Sequence, residues 1–264
     1  MARMTVPRFV AKKAAGEKLA MLTAYDFPIA SIVDEVGIDA ILVGDSCAMT
    51  VMGRETTLSI TVDELLHHAK TVTDAAKNCL VVADLPFMSY HVSPEEAVRN
   101  AGRFVAEGGA QAVKLEGPPR RIGRAIHAIL NADIPVMAHL GLTPQSVHQF
   151  GGFKVQGRDE SARARMKSDA LELEKMGCFG VVLECVPPDL AQEISSSLTI
   201  PTIGIGAGSK CDGQILVIYD ILGWGKTRFA KTFADVRGLI SSAVGDYIGE
   251  VKAGTFPAKE HEYK

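Results

Sequence analysis

The chain has 264 residues, 47% of them apolar, with 28 Lys and Arg against 31 Asp and Glu and a formal net charge of −3. This balance supplies no clustered basic face for nucleic acid; no apolar run approaches the roughly 18 residues of a membrane span, and the start MARMTVPRFVAKKAAGEK lacks the apolar segment of a secretory signal. The five cysteines (Cys47, Cys79, Cys178, Cys185, Cys211) are odd in number and never spaced C-x2-C, which argues against a disulfide framework or a zinc site and for a reducing, cytoplasmic setting.

Along the chain, short β-branched runs recur at 19–24, 39–44, 79–84, 111–116, 134–139, 179–184 and 200–205. Each is too short for a helix and apolar on both faces, as a buried parallel strand is. Helical segments with recognisable starts lie between them. Thr61-Val62-Asp63-Glu64 opens one through about Lys77. Ser93-Pro94-Glu95-Glu96 opens another that stops at Gly108-Gly109, and Pro187-Pro188-Asp189-Leu190 opens a third. An eighth strand is expected at 214–223 (QILVIYDILG) after a shortened seventh unit, and 233–253 reads as a closing amphipathic helix packed on the barrel or on a neighbouring subunit. Strands alternating with helices imply a parallel sheet with right-handed crossovers. The strand count favours an α/β fold of the (β/α)8 TIM barrel type over an open doubly wound sheet. Residues 1–264 then form a single barrel domain, of the size usual for that fold.

The residues that end these runs carry the chemistry. They are Tyr25-Asp26, Asp45-Ser46, Asp84, Glu116, His139 and Glu184. Parallel strands present their carboxyl ends on one face, which in barrels holds the active site. Any one of the acids could simply cap the next helix, but several crowded together repel one another and raise their pKa values. A divalent cation relieves that repulsion, and oxygen donors suit Mg2+ better than zinc. Lys114 stands two residues before Glu116, so both side chains point the same way. It reads as a salt-bridge partner of the acids, an anchor for a carboxylate or keto oxygen, or a Schiff-base amine. Gly204-Ile-Gly-Ala-Gly208 does not complete a dinucleotide-binding G-x-G-x-x-G, and residues 151–158 (GGFKVQGR) read either as a lid on the same rim or as a solvated loop. His67-His68 reads as a surface pair, and the cysteines as small apolar packing.

The strings TAYDFPIA, LVGDS, TVDEL, ADLPFMSY, AVKLEG, HLGLTPQS, GGFKVQGR, VLECVP and IPTIGIGAG with CDGQILV run in order from about residue 19 to residue 220. In these the chain resembles the ketopantoate hydroxymethyltransferase family. The resemblance implies a barrel of the phosphoenolpyruvate/pyruvate superfamily, assembled as a homodecamer. It also implies transfer of a one-carbon unit from 5,10-methylenetetrahydrofolate to 3-methyl-2-oxobutanoate, through an enolate that Mg2+ stabilises, to give 2-dehydropantoate for pantothenate biosynthesis. By the same resemblance Asp45 and Asp84 bind one Mg2+ per subunit with Glu116 as the third acid near it. Asp45, Ser46, Asp84 and Lys114 hold the keto acid, Glu184 is the catalytic base and His139 a pocket histidine. Cys47-Ala48, Tyr219 and Thr227-Arg228 depart from the family pattern, at positions that touch folate affinity and C-terminal packing. Two alternatives stand beside this reading: another Mg2+-enolate C–C lyase of the superfamily, and a non-catalytic barrel that binds a keto acid or folate.

Overall fold

The computed structural model describes residues 3–225 and 227–263. Eight parallel strands, β1 (Leu19–Thr23), β2 (Ala40–Val43), β3 (Leu80–Asp84), β4 (Ala112–Glu116), β5 (Val136–Gly141), β6 (Gly180–Glu184), β7 (Thr202–Ile205) and β8 (Gly213–Leu216), pair in sequence order. β8 pairs with β1, which closes the barrel. Helix α1 (Val6–Ala14) precedes β1, and the crossovers carry α2 (Phe27–Val36), α3 (Cys47–Thr50), α4 (Val62–Ala75), α5 (Pro94–Ala106), α6 (Pro119–Leu130), α7 (Val147–Phe150), α8 (Glu160–Met176) and α9 (Pro188–Ser197). Residues 3–217 form one compact unit; from Ile218 a second unit holds α10 (Ile218–Ile221) and α11 (Val236–Ala253).

The expected start signals act as caps. Thr61 and Glu64 form a reciprocal capping box on α4, and the Ser93 hydroxyl accepts the Glu96 N–H at the start of α5. Asp26, one of the acids after a strand, caps α2 by accepting the Ile29 N–H. The expected eighth strand at 214–223 needs correction: the ladder spans Gly213–Leu216, and Ile218–Ile221 is a short helix. A short apolar run serves a buried strand and a buried helical turn equally well, so its pattern does not separate them. The helix expected at 233–253 is present as α11, with no buried residue.

Side chains alternate along each strand, and the inward set makes one apolar core. Met21, Ala40, Leu42, Leu80, Val82, Ala112, Met137, Val182, Ile203 and Ile215 fill the barrel with Phe9 and Phe179. α1 reaches this core at the amino-terminal end of the strands, where the Phe9 ring meets Phe179 edge to face with centroids 5.8 Å apart. Around it, Lys12 Nζ lies 2.5 Å from Asp39, and Lys13 Nζ lies 2.8 Å from Asp212 while donating to the Ser195 and Ile200 carbonyls. Buried Asp34 on α2 accepts the backbone N–H groups of Lys77, Asn78 and Cys79, which fixes the entry to β3.

Candidate active site

At the carboxyl ends the inward-facing positions change from apolar to charged. Ala112 belongs to the core, so the period of two turns Lys114 and Glu116 inward above it. The register sets Asp84 beside Lys114, Glu116 beside His139, and Gly141 beside Glu184. Asp45 follows β2, and Ser46 leads into α3. Asp45, Asp84, Lys114, Glu116 and His139 are all buried. The strand-end residues picked out in the sequence therefore meet on one rim, except Asp26, which serves its helix.

Lys114 Nζ lies 2.8 Å from Asp84 Oδ1, 3.2 Å from Glu116 Oε1 and 3.3 Å from His139 Nδ1. Of the roles open to this lysine, the ion pair with the acids is formed. His139 joins two acids, with Nδ1 3.2 Å from Glu116 Oε1 and Nε2 3.3 Å from Glu184 Oε2. The Asp45 N–H donates to Asp84 Oδ2 at 3.0 Å, and the Ser46 and Tyr25 hydroxyls are 2.8 Å apart. Gly141 stands in the left-handed region, and a Cβ there would come within 2.2 Å of the Glu184 carbonyl oxygen. That oxygen accepts the Leu142 N–H, so the close approach ties the end of β5 to the backbone of Glu184.

Gln145 and Tyr90 join this network without having been picked out in the sequence. The Gln145 amide nitrogen donates to Asp45 Oδ2 and the Leu85 carbonyl, its backbone N–H donates to Glu116 Oε2, and its Oε1 accepts the Tyr90 hydroxyl at 2.6 Å. The HLGLTPQS string holds Gln145, but nothing in its spacing says that it reaches across to Asp45.

Burial raises the Asp45 carboxyl well above the usual range, and the nearby Glu116 and Asp84 charges add to the effect. Asp84 is raised too, chiefly by burial, against the pull of Lys114. For Glu116 burial is outweighed by Lys114 and His139, which hold it down to about 2. His139 is disfavoured as a cation by burial and by Lys114, yet Glu116 and Glu184 bring it up to about 9. Four carboxyl groups thus share the rim with two cations, Lys114 and His139, and two of the four, Asp45 and Asp84, are pushed toward the neutral form.

The donor set fits a hard divalent cation. Its acids offer carboxylate oxygens, and buried Asp84 Oδ1 accepts no well-aligned hydrogen bond, although it faces Lys114 Nζ at 2.8 Å. Glu116 is different, because both its oxygens already accept hydrogen bonds. Among the described residues, no three His, Cys, Asp or Glu side chains are grouped tightly enough to hold a metal as they stand, and the Lys114 ammonium lies within ion-pair distance of both Asp84 and Glu116. All five cysteines are free thiols. Burial raises Cys47 to about 12 and Cys185 to about 11, which leaves neither activated as a nucleophile.

Comparison with known proteins identifies the family and the fold. Residues 3–259 match the family model described as ketopantoate hydroxymethyltransferase. The 3-methyl-2-oxobutanoate hydroxymethyltransferase of Syntrophomonas wolfei is 54% identical, covering 99% of this chain and 95% of its own. That of Clostridioides difficile is 51% identical over 98% and 95%. Among solved structures, phosphonopyruvate hydrolase in complex with oxalate and Mg2+ superposes with a TM-score of 0.64 at 12% identity, covering 99% of this chain and 92% of its own. For 2,3-dimethylmalate lyase, a member of the PEP mutase/isocitrate lyase superfamily, the values are 0.63, 16%, 99% and 89%. These two establish the (β/α)8 architecture alone. With half its residues identical to those of the relatives over nearly the full length, the chain is a transferase and belongs to the ketopantoate hydroxymethyltransferase family.

Proposed function

We propose that this rim moves a one-carbon unit from 5,10-methylenetetrahydrofolate to C3 of 3-methyl-2-oxobutanoate, giving 2-dehydropantoate for pantothenate biosynthesis. The observation that carries the reading is the set of three buried carboxylates, one lysine and one histidine, with the partly buried Glu184 beside them, at the strand ends of a chain from this family.

Asp45 and Asp84 would hold one Mg2+ per subunit, with Glu116 beside it. When bound, the ion supplies Lewis-acid withdrawal of charge from the keto acid. Lys114 and the Ser46 backbone N–H give fixed positive potential where the substrate's oxygens gain charge. Asp45 and Asp84, close to both, border the same substrate. Glu184 takes the C3 proton. His139 holds its Oε2 at 3.3 Å, which leaves Oε1 for that transfer. Water breaks the two C–N bonds of the folate's methylene bridge, supplying the oxygen and releasing the carbon as formaldehyde and the carrier as tetrahydrofolate. The enolate carbon attacks that carbon, the new alkoxide takes up a proton to give 2-dehydropantoate, and no protein nucleophile is required.

No helix among the described residues is long and apolar enough to cross a membrane. Together with the free thiols this supports a cytoplasmic enzyme. The exposed Leu239, Ile240, Val244 and Tyr247 of α11 support a homo-oligomer, for which the family reading implies a decamer.

The test is turnover. With 3-methyl-2-oxobutanoate, 5,10-methylenetetrahydrofolate and Mg2+ the purified protein is expected to form 2-dehydropantoate, and EDTA is expected to stop it. A protein that binds the keto acid but forms no product would instead be the non-catalytic barrel.

A further inference from the structure

Beside the catalytic cluster lies a cavity of about 240 Å3, walled by the starts of α6 and α8 and by the end of β5. Its charge is one-sided. Arg120, Arg121 and Arg165 line it, and Asp169 is the only acid on its wall. Asp169 is already paired with Arg120 at 3.3 Å.

The other two guanidinium groups form no ion pair among the described residues, although Arg165 stands near enough to Asp169 and Asp159 to favour their charged forms. Arg121 is held by neutral acceptors: its Nη2 donates to the Ser146 hydroxyl and the Glu116 carbonyl, and its Nη1 to Gln149 Oε1. Arg165, exposed on α8, makes no hydrogen bond or ion pair among the described residues. α6 adds to the excess. It begins without a side-chain cap and without an acid in its first turn, and instead places Arg120 and Arg121 there, where the helix dipole disfavours cations. Such an arrangement costs stability in the absence of an anion and is relieved by one.

The cavity is also amphipathic. Leu140, Phe150 and Met166 line it together with the arginines. Gly117 and Gly141, which line it, each adjoin the strand ends that carry Glu116 and His139. The ligand that fits has an aromatic body, ends in carboxylates and reaches the catalytic cluster at its other end.

We infer that this cavity receives the aminobenzoyl-glutamate arm of the folate co-substrate, with Arg165 and Arg121 pairing with its carboxylates; this rests on the folate reading proposed above. The two guanidinium groups outside any ion pair match the two carboxylates of a single glutamate, and guanidinium is the side chain best shaped for that pairing. The apolar wall takes the ring between the glutamate and the pterin. Nothing about the keto acid's own site depends on Arg165.

The experiment compares two donors, 5,10-methylenetetrahydrofolate and 5,10-methylenetetrahydropteroate, which lacks the glutamate, on the wild-type protein and on Arg165→Met. Hydrogen exchange at C3 of 3-methyl-2-oxobutanoate in D2O, without folate, reads the keto-acid half of the site in parallel. The variant is expected to raise KM for the folate donor about tenfold and to leave KM for the pteroate donor and the exchange rate within twofold. Arg165→Lys is expected to recover part of the loss. An unchanged KM for the folate donor, or an equal rise for both donors, would overturn the assignment. A wild-type protein that exchanges C3 yet uses neither donor would overturn the folate reading itself, and the assignment with it.

Discussion

The two ends of the barrel treat charge in opposite ways. At the amino-terminal end, Lys12, Lys13, Asp34 and Asp39 each have partners that use their hydrogen-bonding capacity, and the aromatic pair Phe9 and Phe179 seals the core beneath them. At the carboxyl end, four carboxylates share two cations, Asp45 and Asp84 are pushed up by burial, and Asp84 Oδ1 and His139 Nε2 lack well-aligned hydrogen bonds. Buried charge kept short of full pairing is a poor way to stabilise a fold. One end is organised to hold the barrel shut, and the other to bind something that completes it.

Substitutions at the two ends should therefore separate activity from stability. The largest effect is expected from Asp84→Asn, which removes a buried carboxylate charge from the rim: turnover should fall on the order of 10^3-fold, equivalent to about 4 kcal/mol, with little change in the urea midpoint. A variant that unfolds easily while the folded fraction keeps full activity would place Asp84 in the scaffold. Phe9→Ala is the mirror case. It should cost about 3–5 kcal/mol of stability, the usual range for emptying an aromatic core site, and leave kcat of the folded protein unchanged. A matching loss of kcat would show that the plug and the rim are not independent.

Asp34 sharpens the comparison through pH. Burial raises its carboxyl, but the N–H groups of Lys77, Cys79 and Asn78 overcome this and bring it down to about 2 from the usual 3.8. A folded-state value below the unfolded one adds stability above the unfolded pKa, and that stability is lost as pH falls from 3.8 toward 2. Asp34→Asn should thus cost roughly 2 kcal/mol at pH 7, with the difference from wild type closing near pH 2. A difference that stays constant across this range in denaturant melts would mean that the ionised form of Asp34 is not what fixes the entry to β3.

Much of this division was legible in the sequence. The apolar runs bounded by Asp45, Asp84, Glu116, His139 and Glu184 are strands, and parallel strands must bring their carboxyl ends together, so the rim followed from the pattern. The spacing of Lys114 and Glu116 was enough to turn both inward. The second half of the eighth run misled, because Ile218–Ile221 has a strand's composition and a helix's conformation. α1 also escaped notice, although Thr5 ahead of Val6 and Pro7 is a capping start of the kind recognised at Ser93. Tyr90 and Gln145 lie on different loops, and their hydrogen bonds to each other and to the acids arise from the closed barrel. No local spacing encodes such contacts.

The central claim is that Glu184, held by His139 on this rim, removes the C3 proton of the keto acid. Exchange of that proton in D2O with Mg2+ and no folate measures this step alone. Wild type is expected to exchange it in a manner that EDTA abolishes, and Glu184→Gln to lose at least about 10^2-fold, within the usual range for a general base. Undiminished exchange in Glu184→Gln would contradict the account.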